Sequence, residues 1–276
     1  MIGLVIWGSF IPLRLLSKAE VDYLNSAPKQ LPAIEWIFYE MNSVWNDLNL
    51  DNHGSVSNDE FRSFYSHPVW LLNGIFSASD PTSRSHRVAI AQFLKVRNLH
   101  NIADYGGGYG ELARIICYEL GGANVDIIEP FPSKVSIFRL EEEPRISFVS
   151  VLGYKKYEAI VVQDVLEHVM DPVLLAYEIS GTVCKGGFLI FANCFYPVIE
   201  CHLPRTFHLR FTFRYVMRAL GLRYIGNIPG AEHIQVFQKI EGLSLSKARF
   251  IEKISVLLGS VANRIVSGLL ILRYWR

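Results

Sequence analysis

The chain has 276 residues, with 27 Lys and Arg against 26 Asp and Glu, for a net charge of +1. That balance excludes a chain built to neutralise a nucleic-acid backbone, and the length suits one large domain, or one domain with a smaller attachment. Half of the residues are hydrophobic, but no run reaches the roughly 18 apolar residues that a membrane span needs.

Met1 to Leu16 is apolar but broken by Pro12 and Arg14, and it lacks the basic start and small-residue cleavage site of a secretion signal. Ile34, Ile37, Phe38, Met41, Val44, Trp45 and Leu48 then recur at helical spacing. Residues 49–60 resemble a calcium EF-hand loop, with Gly54 at position 6 and Glu60 at position 12, but Asn49 replaces the first aspartate and His53 occupies position 5. Without the first carboxylate a hard-cation site is weak, and the stretch reads as a capped helix–loop–helix; no metal site is expected. Phe61 to Phe76 is a further helical or turn-rich apolar stretch interrupted by Pro68, Ser77 to Ser85 reads as a polar linker, and Arg87 to Val96 as a helix. Residues 1–85 are therefore expected to form a helical N-terminal cap.

From residue 100 strands and helices alternate, which predicts a parallel sheet covered on both faces. Strands are expected at 101–105, 124–129, 146–149, 158–163 and 187–193, with helices near 132–140, 171–183 and 211–220. Arg223 to Ile228 and His233 to Lys239, joined by Pro229 and Gly230, read as a closing antiparallel hairpin. Residues 86–240 form this core. Residues 241–276 carry Phe250, Ile254, Leu257, Leu258, Val261, Ile265, Leu269 and Leu272 at near-helical spacing, beside Arg249, Lys253, Arg264, Arg273 and Arg276. Such a basic amphipathic helix packs on its own domain, on a second subunit or on a membrane surface, and the three alternatives stay open.

The most informative stretch is Asp104-Tyr105-Gly106-Gly107-Gly108-Tyr109-Gly110, between the first core strand and a helical pattern from Glu111. Glycines approach a ligand without a Cβ, and a helix N-terminus offers it free N–H groups. The dinucleotide fingerprint would need a third glycine at Glu111, and the phosphate loop its Gly-Lys-Ser/Thr; both are missing. Glu129 ends the second strand, 19 residues after Gly110, where a carboxylate can accept both ribose hydroxyls of an adenosine ligand, and Pro130 and Phe131 follow it against the base.

An acid before GxGxG resembles the first motif of class I S-adenosylmethionine (SAM)-dependent methyltransferases. Gln163-Asp164-Val165-Leu166-Glu167-His168-Val169-Met170-Asp171-Pro172 resembles the D-x-LEH-V-x-DP segment of the small-molecule members related to quinone-biosynthesis enzymes, and Lys185-Gly186-Gly187-Phe188-Leu189-Ile190 their entry to strand five. The resemblance covers roughly residues 85–240 and implies a Rossmann-like seven-stranded α/β sheet with SAM as cofactor. It assigns Asp104, Gly106, Gly107, Gly108, Gly110, Glu129, Pro130, Phe131, Asp164 and Val165 to the cofactor. Many members carry an acid after strand three for the adenine amino group; here Ser150 and Val151 stand there.

The expected activity is methyl transfer to a small-molecule acceptor, with oxygen as the favoured atom. His168, His202 and His208 are candidate bases or acceptor-orienting groups, and His168 with Glu167 alternatively braces the cofactor loop. Arg84 and His86 are candidates for the cofactor carboxylate. The cap aromatics Trp36, Phe38, Tyr39, Trp45, Phe61, Phe64, Tyr65 and Trp70 offer an acceptor pocket, although much of this aromatic content belongs to the core. Cys117, Cys184, Cys194 and Cys201 show no CxxC pairing, which suits a reduced, cytoplasmic compartment. An inactive SAM- or nucleoside-binding module, a peripheral membrane protein acting through its tail, and a homodimer remain alternatives.

Overall fold

The computed structural model describes residues 2–54, 57–240 and 242–274, with side chains to residue 259 except Asn58. The chain opens with a β-hairpin, β1 (Gly3–Ile6) and β2 (Ser9–Pro12), within the stretch expected to form a helical cap. Trp7 and Gly8 turn it with positive φ. Four helices follow: α1 (Lys18–Asn25), α2 (Ile34–Asp47), α3 (Asn58–Tyr65) and α4 (Pro68–Ser79). Ser17 and Ser57 cap α1 and α3 reciprocally with Glu20 and Glu60. The Glu60 carboxylate thus accepts the Ser57 N–H at 2.7 Å, and residues 55–56 of the EF-hand-like stretch lie outside the described residues.

The stretch read as a polar linker is helical instead. α5 (Pro81–Val96) starts as soon as α4 ends, because Asp80 accepts the Ser83 N–H at 2.7 Å and Pro81 takes the first helical position. Ser, Thr and Asp near a helix start cap it, so their polarity did not signal a loop.

The core strands are β3 (Asn101–Tyr105), β4 (Asn124–Ile128), β5 (Ile146–Val149), β6 (Tyr157–Gln163), β7 (Val183–Ala192), β8 (Leu222–Ile228) and β9 (Ala231–Lys239). They form a seven-stranded sheet ordered β5-β4-β3-β6-β7-β9-β8. β5, β4, β3, β6 and β7 are parallel, and β9 runs antiparallel to both β7 and β8. Alternate residues serve the two faces. Ile102, Ala159, Val161 and Ile190 join the core under α5, α6 (Glu111–Glu119) and α7 (Lys134–Leu140). Ala103, Ile160, Val162 and Phe191 join the core under α8 (Pro172–Gly181) and α9 (Phe213–Leu220). A third core belongs to the cap, built on Ile37, Trp45, Phe64, Leu72 and Ile75, and it takes in Tyr109, Val135, Ile199 and Cys201 of the sheet unit.

α10 (Leu245–Tyr274) lies along α8, α9 and the 3-10 turn Pro204–Arg210. Ala248 and Ser255 are buried, Arg249 donates to Asp171, and Ser255 Oγ donates to Thr212 Oγ1. Phe250, Val256 and Leu258 are exposed. The side chains of Val261, Arg264, Ile265, Leu269, Leu272 and Arg273, and all of Arg276, lie outside the described residues. Among the described residues no helix is long and apolar enough to cross a membrane, and the four cysteines are unpaired.

Candidate functional site

The chain adds β4 and β5 on one side of β3, then returns to place β6 and β7 on the other. The crevice at the carboxyl ends of β3 and β6 is therefore the topological switch point, where open α/β sheets bind ligands. A cavity of about 780 Å³ occupies it, walled by the glycine loop after β3, Glu129 after β4, Asp164 after β6 and the cap helices α3 and α4.

The loop's shape depends on glycine. Gly106 has φ +74°, its N–H donates to Ile128 O at 2.8 Å, and a Cβ there would sit 2.5 Å from Val165 Cγ2. Gly106, Gly107 and Gly108 line the cavity, whereas Gly110 starts α6 and faces Leu140. On the cap side Gly74 lets the α4 backbone lie on Tyr109; a Cβ at Gly74 would be 2.7 Å from Tyr109 Cβ.

Acidic groups surround this loop. Glu129 accepts the Gly108 N–H at 3.2 Å and the Phe131 N–H at 3.1 Å, while burial raises its pKa. Asp104 is 3 % exposed, and its Oδ2 has no hydrogen-bond partner among the described residues. Burial pushes its carboxyl up to about 7, opposed by Arg87 and assisted by Glu129. Asp164 has φ +50°, a left-handed conformation uncommon outside glycine. It is an exposed residue on the cavity wall, and desolvation there raises its pKa against the pull of Arg87.

Arg87 is the residue that sequence reasoning missed. It projects from α5 into the cavity and donates to Ser77 O at 2.7 Å and to Ser77 Oγ, with Asp104, Asp164 and Glu111 in its field. Arg84 is exposed and His86 stacks against His233 at 4.6 Å, so neither reaches the cavity. Helical phase could have found Arg87, because it shares a face with the buried Ile90, Ala91 and Leu94. Pro130, Phe131 and Val165 line the cavity as well. Ser150 is exposed and does not.

Beyond Asp164 the chain makes a tight turn at Leu166–His168. Glu167 is 0 % exposed; its Oε1 accepts the Cys194 N–H at 2.7 Å and its backbone carbonyl the Leu203 N–H at 2.9 Å. Burial and the Asp164 charge raise the Glu167 pKa. His168 Nδ1 lies 3.1 Å from Cys201 O, and the ring packs edge-on against Tyr65, Trp70 and His202, with 4.9 Å between the imidazole centroids. His202 Nδ1 lies 2.9 Å from Tyr196 O. A carbonyl only accepts, so each Nδ1 carries the proton and each Nε2 the lone pair. Burial drives the His168 pKa down to about 3 and lowers that of His202, so both rings are neutral. The structure thus brings His168 and His202 together. His208 sits elsewhere: its Nδ1 lies 2.8 Å from Arg205 O, and its Nε2 3.7 Å from Glu252 of α10.

No protein-family model and no curated protein matches this sequence. Solved structures do resemble it. An O-methyltransferase family protein from Burkholderia thailandensis aligns with TM-score 0.55 at 12 % identity, covering 82 % of this chain and 77 % of that one. Human N-acetylserotonin methyltransferase, solved in complex with SAM, aligns at 0.52 and 16 % identity over 82 % and 75 %. A putative O-methyltransferase from Nostoc punctiforme aligns at 0.51 and 15 % identity over 77 % and 73 %. The mixed seven-stranded sheet with its closing hairpin, the glycine loop at the switch point and these three likenesses agree: the chain has the class I SAM-dependent methyltransferase fold.

Proposed function

We propose that this protein is a SAM-dependent methyltransferase acting on a small molecule, with oxygen as the favoured acceptor atom. The observation that carries the reading is the Glu129 carboxylate at the end of β4, held by the Gly108 N–H across the glycine loop. It stands where an adenosine ribose would meet it. Pro130, Phe131 and Val165 flank the place for the base. At the other end Arg87 suits the carboxylate of a methionine moiety, and the unpartnered Asp104 Oδ2 its ammonium group. Bound SAM supplies an electrophilic methyl group and its own leaving group. The chain's part is to position the acceptor in line, which alone accounts for much of such a rate. Tyr65, His67 and Trp70 of the cap wall the cavity opposite the loop and suit a flat or apolar acceptor. The neighbours from Burkholderia thailandensis and Nostoc punctiforme, described as O-methyltransferases, support oxygen.

Thermal unfolding with S-adenosylhomocysteine, SAM, NAD and ATP in parallel tests the reading. A ligand at about 100 times its dissociation constant adds ~2.7 kcal/mol of apparent stability. The expected outcome is a rise in Tm with the two sulfur ligands and none with NAD or ATP; the reverse pattern rejects the proposal. Affinity for S-adenosylhomocysteine without labelled-methyl transfer to any of a broad panel of hydroxylated and amine acceptors would favour a binding module. The exposed Phe250 and Ile254, neighbours on one face of α10, favour a second contact, with a membrane surface. Co-sedimentation of the full chain with anionic liposomes, against a chain ending at Lys239, tests that; equal sedimentation of the two dismisses it.

A further inference from the structure

The turn after β6 and the segment after β7 bring Glu167, His168 and His202 together, each buried, with one potential ligand atom from each within 4.8 Å of the others. The two imidazoles are already arranged as metal ligands are. Each donates its Nδ1–H to a backbone carbonyl, Cys201 O or Tyr196 O, which fixes the tautomer and aims the Nε2 lone pair away from the backbone. Glu167 spends one carboxylate oxygen on the Cys194 N–H. Its other oxygen, Oε2, is buried without a hydrogen-bond partner, and among the described residues no Lys or Arg pairs with this carboxylate. Carrying a charge at this buried point is costly for the carboxyl alone, and a bound cation would offset that cost.

We propose that Glu167, His168 and His202 bind one divalent first-row transition-metal cation, with zinc the best match. Two neutral imidazoles and one carboxylate are the donors that zinc accepts at sites with an open fourth position, and magnesium, which prefers an all-oxygen set, is disfavoured. Tetrahedral ligands at ~2.1 Å stand about 3.4 Å apart, so the three donor atoms would have to draw closer than their present 4.8 Å limit on binding. The set lies between two openings. His168 borders the main cavity, and His202 borders a second hollow of about 460 Å³ between the cap and residues 197–207. His168 lines the cavity in which the acceptor is proposed to sit. There a cation would orient an acceptor oxygen and make its proton more acidic. That role rests on the methyltransferase reading; the metal site itself does not.

The test is made on the full chain, stripped with a chelator and titrated with Zn²⁺, Co²⁺ and Mg²⁺, alongside the Glu167→Gln and His202→Ala variants. Circular dichroism confirms folding, and melting with S-adenosylhomocysteine reports the cofactor site separately. The expected result is one equivalent of Zn²⁺ per chain, visible Co²⁺ absorption bands that Zn²⁺ displaces, weak Mg²⁺ binding, and at least about 100-fold loss of Zn²⁺ affinity in Glu167→Gln. Glu167→Gln is nearly isosteric and serves if His202→Ala does not fold. No stoichiometric Zn²⁺ or Co²⁺ binding by the native chain overturns the site, and so does unchanged binding in a folded Glu167→Gln variant. Metal binding lost in the variants while S-adenosylhomocysteine fails to bind even the native chain leaves the site standing and removes the methyltransferase reading. A melting shift with S-adenosylhomocysteine but no bound metal does the opposite.

Discussion

Asp104 carries the sharpest single-residue expectation. Its carboxyl is held up at about 7 by burial and by Glu129, against Arg87, whereas in an unfolded chain it has its ordinary value of 3.8. The folded chain therefore keeps a proton that the unfolded chain releases, so stability falls as pH rises from about 4 to about 7 and then levels. The rise in pKa bounds the effect at ~4 kcal/mol at pH 8. Asp104→Asn should remove that slope and be the more stable protein at pH 8, as read by urea unfolding at pH 5 and 8. Its affinity for S-adenosylhomocysteine should nonetheless drop at least about tenfold, because a charged acceptor is lost. Gly106→Ala makes a second expectation. A Cβ there meets Val165 Cγ2 at 2.5 Å on a φ of +74°, so ligand binding should vanish while far-ultraviolet circular dichroism stays native. Asp104, Gly106 and Glu129 were legible in the sequence because a tight turn and a strand end restrict residue type. The partnership of His168 with His202 was not. Between them lie 33 residues that follow no ligand spacing, and only the return of the chain past β7 joins them.

Elements were most legible where the physics is local. The parallel strands show as short apolar runs because both faces are buried, and the Pro229–Gly230 turn marks the closing hairpin. Helix starts in the cap were harder: Asp80 and Pro81 look like linker until Asp80 is seen capping α5. The junction of α6 and α7 depends on a contact that no periodicity displays. Glu111, 4 % exposed, accepts from Arg114 Nη2 at 2.6 Å and from Arg139 of α7. Burial opposes its charge, yet the two guanidinium groups hold its pKa below the ordinary carboxylate range. Glu111→Gln should cost about 3 kcal/mol, the low end for a broken buried pair because Arg114 is partly exposed. The loss should be full at pH 7 and should shrink as pH falls through the depressed native pKa, where the native carboxylate is protonated too. Equal unfolding midpoints of variant and native chain at pH 7 would show that the bridge contributes nothing.

At the scale of the whole molecule the cap and the sheet share packing. Trp45, 1 % exposed, meets Phe64 edge-on with 5.0 Å between centroids, in the core that also takes in Tyr109 and Val135. Trp45→Ala should cost about 3–5 kcal/mol. Because that core reaches the glycine loop, cofactor affinity should weaken with it, and calorimetry should show one transition rather than two. Two separate peaks, with only the lower one moved by the substitution, would show that the cap unfolds alone.

Gly74 fixes how closely the cap can approach the glycine loop. With the α4 backbone resting on Tyr109, a ligand proposed to sit in the loop would have this helix over one side of it. Under the methyltransferase proposal, departure is expected to lag behind chemistry, as in many enzymes whose closing segments gate release. Mixing the protein rapidly with SAM and an acceptor should then give a burst of about one product per chain, followed by slower steady turnover. Gly74→Val, wedging α4 off the ring, should abolish the burst and raise the KM for the methyl donor, exchanging retention for speed.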